Sequence, residues 1–139
     1  MKVVLDTNIL ISALISPHNP PNMILESWFN GKFELLTSNE QLNEVRKVSR
    51  YEHLQPFLQR HRVGLLINRM RSLATLIKSG TLLSKEALDP DDNFLIAICE
   101  AGSANYLVTG DQRAGLPERK HAVATEILTA SEFVSRYLS

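Results

Sequence analysis

The stretch Lys2-Val3-Val4-Leu5-Asp6-Thr7-Asn8-Ile9-Leu10-Ile11-Ser12-Ala13-Leu14 decides the fold. Its opening is a short β-branched, apolar run that stops at an aspartate, and Asn8 to Leu14 reads as helix. The same alternation continues along the chain. His18-Asn19-Pro20-Pro21 is a loop, and Pro21 suits the first turn of a second helix reaching about Asn30. Phe33 to Thr37 reads as a second strand. Ser38 then serves as an N-cap, with Gln41 three residues on, for a helix striped by Leu42, Val45 and Val48; Glu44 lies off the centre of that stripe.

Two further helices are expected near Glu52 to Gln59 and Arg62 to Lys78, with Gly80 closing the region and a short strand around Thr81 to Leu83. Asp89-Pro90-Asp91-Asp92 opens a helix whose body, Phe94 to Cys99, is apolar all round and therefore buried, and Gly102 is expected to terminate it. Tyr106 to Thr109 is a buried strand that breaks at Gly110-Asp111. A last strand near Ala122 to Ile127 leads to Thr129, which forms a capping box with Glu132 for the final helix. Strands alternating with helices mean a parallel sheet covered on both faces. The expected fold is α/β: one domain over residues 1–139, a three-layer α/β/α sandwich around a mostly parallel sheet of about five strands.

The bulk composition agrees. A chain of 139 residues with 44% hydrophobic and 22% charged content can bury a core without staples and shows no bias toward disorder or a membrane span. The apolar N-terminus is interrupted by Asp6 and Asn8, unlike a signal peptide. Cys99 is the single cysteine, so no internal disulfide or Cys/His zinc cluster is expected, and a reducing cytoplasm is the expected compartment. His18, His53, His61 and His121 lack ligand spacing. Cys99 is expected in the core, and Trp28 and Phe29 on the packed face of an amphipathic helix.

Formal net charge is zero, but its distribution is uneven. Residues 46–85 carry nine Lys or Arg (Arg46, Lys47, Arg50, Arg60, Arg62, Arg69, Arg71, Lys78, Lys85) against one acid, Glu52, for a segment charge of +8. A basic block beside acidic flanks fits a phosphate-binding surface around a metal site; amphipathic helices with solvated basic faces are the plainer reading.

In open parallel sheets, ligands bind at the carboxyl ends of the strands. Asp6 and Asp111 follow two of the expected strands, Glu44 lies about two turns into the helix after the second, and Asp92 falls in the first turn of the helix after the third. Four carboxylates at one edge repel one another unless a cation holds them. Oxygen ligands without His or Cys select Mg²⁺ or Mn²⁺, and such ions activate water and offset charge on a phosphate. Phosphodiester hydrolysis is the chemistry that fits. Each acid also has a plainer role. Asp89, Asp91 and Asp92 suit a helix N-terminus, Asp111 suits a turn with Gly110, and Glu44 suits a solvated helix face. Asp6, a carboxylate ending an apolar first strand, resists a purely structural reading best.

The string Val4 to Leu14, followed by Glu44-Val45-Arg46-Lys47-Val48, then Asp89-Pro90-Asp91-Asp92-Asn93 with Leu95, then Val108-Thr109-Gly110-Asp111, resembles the PIN-domain family in order and spacing over nearly the whole chain. The resemblance is closest to the prokaryotic toxin components of toxin–antitoxin pairs. It implies that Asp6, Glu44, Asp92 and Asp111 are catalytic and metal-binding acids, with Asp91 a one-residue rival to Asp92. It implies that Asn8 and Thr109 line the pocket. It also implies Mg²⁺ or Mn²⁺, RNA as substrate, a homodimer or higher homo-oligomer, and silencing by a cognate antitoxin. One departure stands out. Relatives often follow Thr-Gly-Asp with a further acid and two leucines, where this chain has Gln112-Arg113-Ala114-Gly115-Leu116. That change either loosens metal binding or lets Arg113 contact substrate phosphate.

Rival readings fit less well. Asp6-Thr7-Asn8 lacks the Asp-x-Asp of haloacid dehalogenases, and no paired acid cluster of a receiver domain is present. Neither a Gly-x-Ser-x-Gly elbow nor a Gly-rich phosphate loop occurs. A catalytically weak PIN fold that binds RNA or an antitoxin is the alternative of a different class.

Overall fold

In the computed structural model, which describes residues 1–78, 90–110 and 124–138, the opening run forms strand β1 (Lys2–Leu5) and passes through Asp6 into helix α1 (Thr7–Ile15). Helix α2 (Pro20–Phe29) follows, then β2 (Glu34–Ser38) and α3 (Asn39–Ser49). A 3-10 helix (Glu52–Phe57) leads to α4 (Arg60–Leu73) and β3 (Thr75–Ile77). The chain continues through α5 (Pro90–Gly102), β4 (Tyr106–Thr109), β5 (Glu126–Thr129) and α6 (Ala130–Tyr137).

The five strands form one sheet in the order β3-β2-β1-β4-β5, and every pairing is parallel. Alternate residues of each central strand enter different cores, as the two-residue period of a strand requires. Val3, Leu5, Leu35, Val108 and Leu128 pack into a cluster with α1, α2, α3, α4 and α6, whereas Val4, Leu36, Leu107 and Ile127 pack against α5. Both faces are covered, so the strands read as continuous apolar runs. The three-layer expectation is borne out, and Leu95 to Cys99 are buried in α5 as their apolar periodicity demands.

Several boundaries differ from expectation. Helix α4 stops at Leu73, not Lys78, because Ala74 turns extended and Thr75 to Ile77 pair along β2 from Leu36 to Ser38. The Thr75 hydroxyl fastens this strand to Glu34 Oε2 at 2.6 Å. The strand expected at 81–83 lies outside the described residues. The last strand begins at Glu126 and runs to Thr129, further along than expected, since Glu126 to Thr129 are the residues in register with β4. The segment from Glu52 is a 3-10 helix ending at Phe57, with Pro56 inside it and no side-chain cap. The capping box of Thr129 and Glu132 is present.

Helix α5 ends at Gly102, as expected, but the glycine is not its left-handed cap. The left-handed residue after α5 is Ser103 (φ 54°), while a Cβ on Gly102 would lie 2.5 Å from Leu36 Cδ1 and 3.2 Å from Ile77 Cδ1. Gly102 lets α5 approach the sheet; Ser103 turns the chain.

Candidate active site

Because all strands run the same way, their carboxyl ends share one edge, and α1, α3 and α6 start there. Asp6 is the first residue beyond β1. Its backbone N–H donates to the Val108 carbonyl at 2.9 Å, which ties it to the neighbouring strand. Its carboxylate caps α1, accepting the Asn8 N–H at 3.2 Å, so the side chain is held at the positive end of the helix dipole.

Helix α3 forms the facing wall. Ser38 caps it by accepting the Gln41 N–H at 3.2 Å, as expected. The Gln41 side chain does not complete a capping box. Its Oε1 accepts the Thr37 hydroxyl at 2.6 Å and its Nε2 donates to the Leu5 carbonyl at 2.6 Å, all in the buried interior. The helix is thereby latched to the last residue of β1, one position before Asp6.

An open cleft of about 810 Å³ lies between α1, α3 and the beginning of α5, lined among others by Asp6, Asn8, Glu40, Asn43, Glu44, Lys47, Phe94 and Leu95. Asp6 and Glu44, placed near each other by the expected fold, face the same cleft. Glu40 was not anticipated. At the start of a helix it reads as a residue complementing the dipole, although its spacing of four from Glu44 puts the two on one helix face. Its Oε2 is buried and, among the described residues, has no hydrogen-bond partner. A buried carboxylate oxygen of this kind is costly unless a cation or a donor meets it.

The lining thus holds three carboxylates against one lysine, Lys47, with His53 exposed at the rim. Hard oxygen donors dominate, and they fit a divalent cation of the Mg²⁺ type better than a thiolate or imidazole metal. Among the described residues, no three His, Cys, Asp or Glu side chains form a metal group by themselves. Asp92 falls in the first turn of α5, the helix that supplies Phe94 and Leu95 to the cleft, and its side chain lies outside the described ones, as does that of Asp91. Asp111 and Arg113 are also outside the described residues. Thr109 ends β4 at the same edge, but it is buried, donates its hydroxyl to the Gly110 carbonyl at 3.0 Å and does not line the cleft.

The chain matches the family described as PIN domain over residues 2–113. A protein of Methanocaldococcus jannaschii, described as uncharacterized, is 32% identical over 117 residues, covering 81% of this chain and 72% of its own length. Among the described residues, no helix is long and apolar enough to cross a membrane.

Proposed function

The chain belongs to the PIN-domain family, whose members are in general nucleases that bind nucleic acid and use divalent metals such as Mg²⁺, and from that premise we propose that it is a Mg²⁺- or Mn²⁺-dependent endoribonuclease. The observation that carries the reading is the convergence of Asp6 and Glu44 on one cleft at the carboxyl edge of the sheet, beside a buried Glu40 oxygen that has no hydrogen-bond partner among the described residues. Asp6, Glu44, Asp92 and Asp111 are the proposed ligands and catalytic acids. Bound among their oxygens, a divalent cation supplies Lewis acidity, making water a better nucleophile and offsetting charge on a phosphodiester.

The remaining work falls to the chain. The Asn8 N–H and the start of α1 orient the Asp6 carboxylate, and Gln41 holds α3 against the end of β1 so that Glu44 faces it. Lys47, in the same lining, attracts the substrate phosphate. Asn8 positions water in the cleft. Arg113 is proposed to meet a flanking phosphate.

The physiological role we propose is that of the toxin in a type II toxin–antitoxin pair, acting in the cytoplasm as a homodimer or higher homo-oligomer and silenced by a cognate antitoxin. It is supported by the resemblance of the four motifs to such toxins. Incubating the purified protein with RNA and with DNA of the same sequence, in Mg²⁺, in Mn²⁺ and in chelator, tests the activity. Metal-dependent cleavage of RNA supports the reading. Tight RNA binding without cleavage in either metal would favour a binding module instead. A small open reading frame beside the gene, whose product relieves growth arrest on co-expression, supports the toxin role.

A further inference from the structure

Helix α3 separates two recesses of opposite character. On one side is the carboxylate-lined cleft. On the other, a groove of about 550 Å³ runs between α3, the 3-10 helix and α4; Leu58, Val63 and Ile67 contribute apolar lining, Arg46, Arg50 and Arg60 with Ser49 and Gln55 the polar part, and among the described residues no acid contributes to it. Arg50 and Arg60 are exposed and Arg46 half-buried, and among the described residues none of the three has a carboxylate partner. Among the described residues, the Arg46 guanidinium makes one long hydrogen bond, 3.4 Å to Asn43 Oδ1.

Other arginines of the basic block are committed elsewhere. Arg62 Nη1 donates to the Leu14 carbonyl at 3.2 Å, closing the end of α1, and the Arg69 guanidinium lies 4.2 Å from the centre of the Phe29 ring. Three arginines along one recess bring like charges near one another, and each offers a planar fork of donors matched to phosphate. Their arrangement therefore favours an anionic ligand. Asn43, the partner of Arg46, lines the acidic cleft, so the two recesses meet across the outer ridge of α3. A helix is only about 10–12 Å across, a distance a polynucleotide spans within a few nucleotides. Tyr51, next to Arg50, lines the acidic cleft, is 41% exposed and has its ring 5.9 Å from that of His53, giving an aromatic surface at the crossing. Aromatic rings beside a basic groove are what single-stranded nucleic acid uses, through stacking of unpaired bases.

We infer that the Arg46, Arg50 and Arg60 groove is a second phosphate-binding subsite, which holds the backbone of a single-stranded polynucleotide lying across α3 while another part of the same strand occupies the acidic cleft. The inference rests on the nucleolytic reading for its substrate. Binding in the groove is nevertheless measurable apart from cleavage.

The experiment measures equilibrium binding of a fluorescein-labelled single-stranded RNA oligonucleotide to the Asp6→Asn protein across a range of salt. It compares Arg46→Gln/Arg50→Gln/Arg60→Gln with Lys2→Gln/Lys32→Gln/Arg71→Gln, which removes the same charge away from the groove. Each single-strand phosphate contact contributes about 0.7 to the slope of log affinity against log salt, so the groove variant should lose about 2 from that slope, on the order of a hundredfold in affinity at about 0.1 M salt. The control triple should change affinity less than about threefold, and Arg→Lys at the three groove positions should restore most of the slope, since lysine still offers a point charge to phosphate. Equal losses in the two triple variants would overturn the subsite. So would groove-dependent binding of poly-glutamate with groove-independent binding of RNA, which would assign the groove to an acidic protein segment. A groove-dependent slope, where the chain with Asp6 intact cleaves no RNA in Mg²⁺ or Mn²⁺, supports the subsite and contradicts the nuclease reading alone.

Discussion

Gln41 Nε2 donates a 2.6 Å hydrogen bond to the backbone carbonyl of Leu5, the residue immediately before Asp6. With its Oε1 accepting the Thr37 hydroxyl at 2.6 Å, this side chain bridges the ends of β1 and β2 from the first turn of α3. The helix that carries Glu40 and Glu44 is thus locked to the strand that presents Asp6. Two walls of one cleft share a single buried amide.

Replacing that amide should damage stability and activity together. Gln41→Leu keeps the volume but strands the Leu5 carbonyl and the Thr37 hydroxyl, each unsatisfied buried group costing about 1–3 kcal/mol. Urea unfolding should show a loss of about 2 kcal/mol or more, and adding Thr37→Val should recover part of it by removing one orphan. An additive double variant would show that the two side chains do not act as one network.

The approach of α5 to the sheet gives a second test. A Cβ at position 102 would meet Leu36 Cδ1 at 2.5 Å, so Gly102→Ala should cost about 1–3 kcal/mol despite alanine's better helix propensity. Leu36→Ala in the same chain should make the added methyl group much less harmful. Ser103→Gly should stabilise by roughly 0.5–1 kcal/mol, because Ser103 holds a positive φ of 54°. Thermal midpoints of Gly102→Ala, Leu36→Ala, their combination and Ser103→Gly measure these effects.

Burial pushes the Cys99 thiol up from its usual 9.0 to about 12; the Thr125 side chain acts weakly in the opposite sense, and Glu100 adds to the rise. The folded protein therefore holds this proton more tightly than the unfolded chain. Its contribution to stability is fully present below pH 9 and is lost as pH rises from about 9 toward 12. The measurement compares unfolding free energies of wild type and Cys99→Ala at pH 8 and pH 10.5. The wild type should lose more stability between the two, and Cys99 in the folded protein should resist thiol reagents at pH 8.

Much of this molecule is legible in the residues. The buried strands announce themselves because apolar side chains are needed on both faces of a covered parallel sheet, as at Val3 to Leu5 and Tyr106 to Thr109. Asp6 is legible for the opposite reason, as a charge that ends such a run. Strand β3 is hidden because Leu76 and Ile77 continue the apolar spacing of α4, and only pairing with β2 makes them a strand. Glu40 is masked by its suitability for a helix N-terminus, and Gln41 by its suitability for a capping box. In both cases a long-range partner or cavity decides the role, and local pattern does not contain it. The same holds for the basic block, where net charge treats Arg60 and Arg69 alike although one faces a groove and the other covers Phe29.

Asp6→Asn tests the central claim most directly. Asparagine caps a helix as well as aspartate does, so this substitution should leave α1 intact and change the thermal midpoint little. It removes one full carboxylate charge from the cleft. Cleavage of RNA in Mn²⁺ should fall by at least about a hundredfold, since an acid that helps hold a catalytic cation is worth several kcal/mol to the reaction. Cleavage by the folded Asp6→Asn protein at the wild-type rate, undiminished by chelator, would contradict the account.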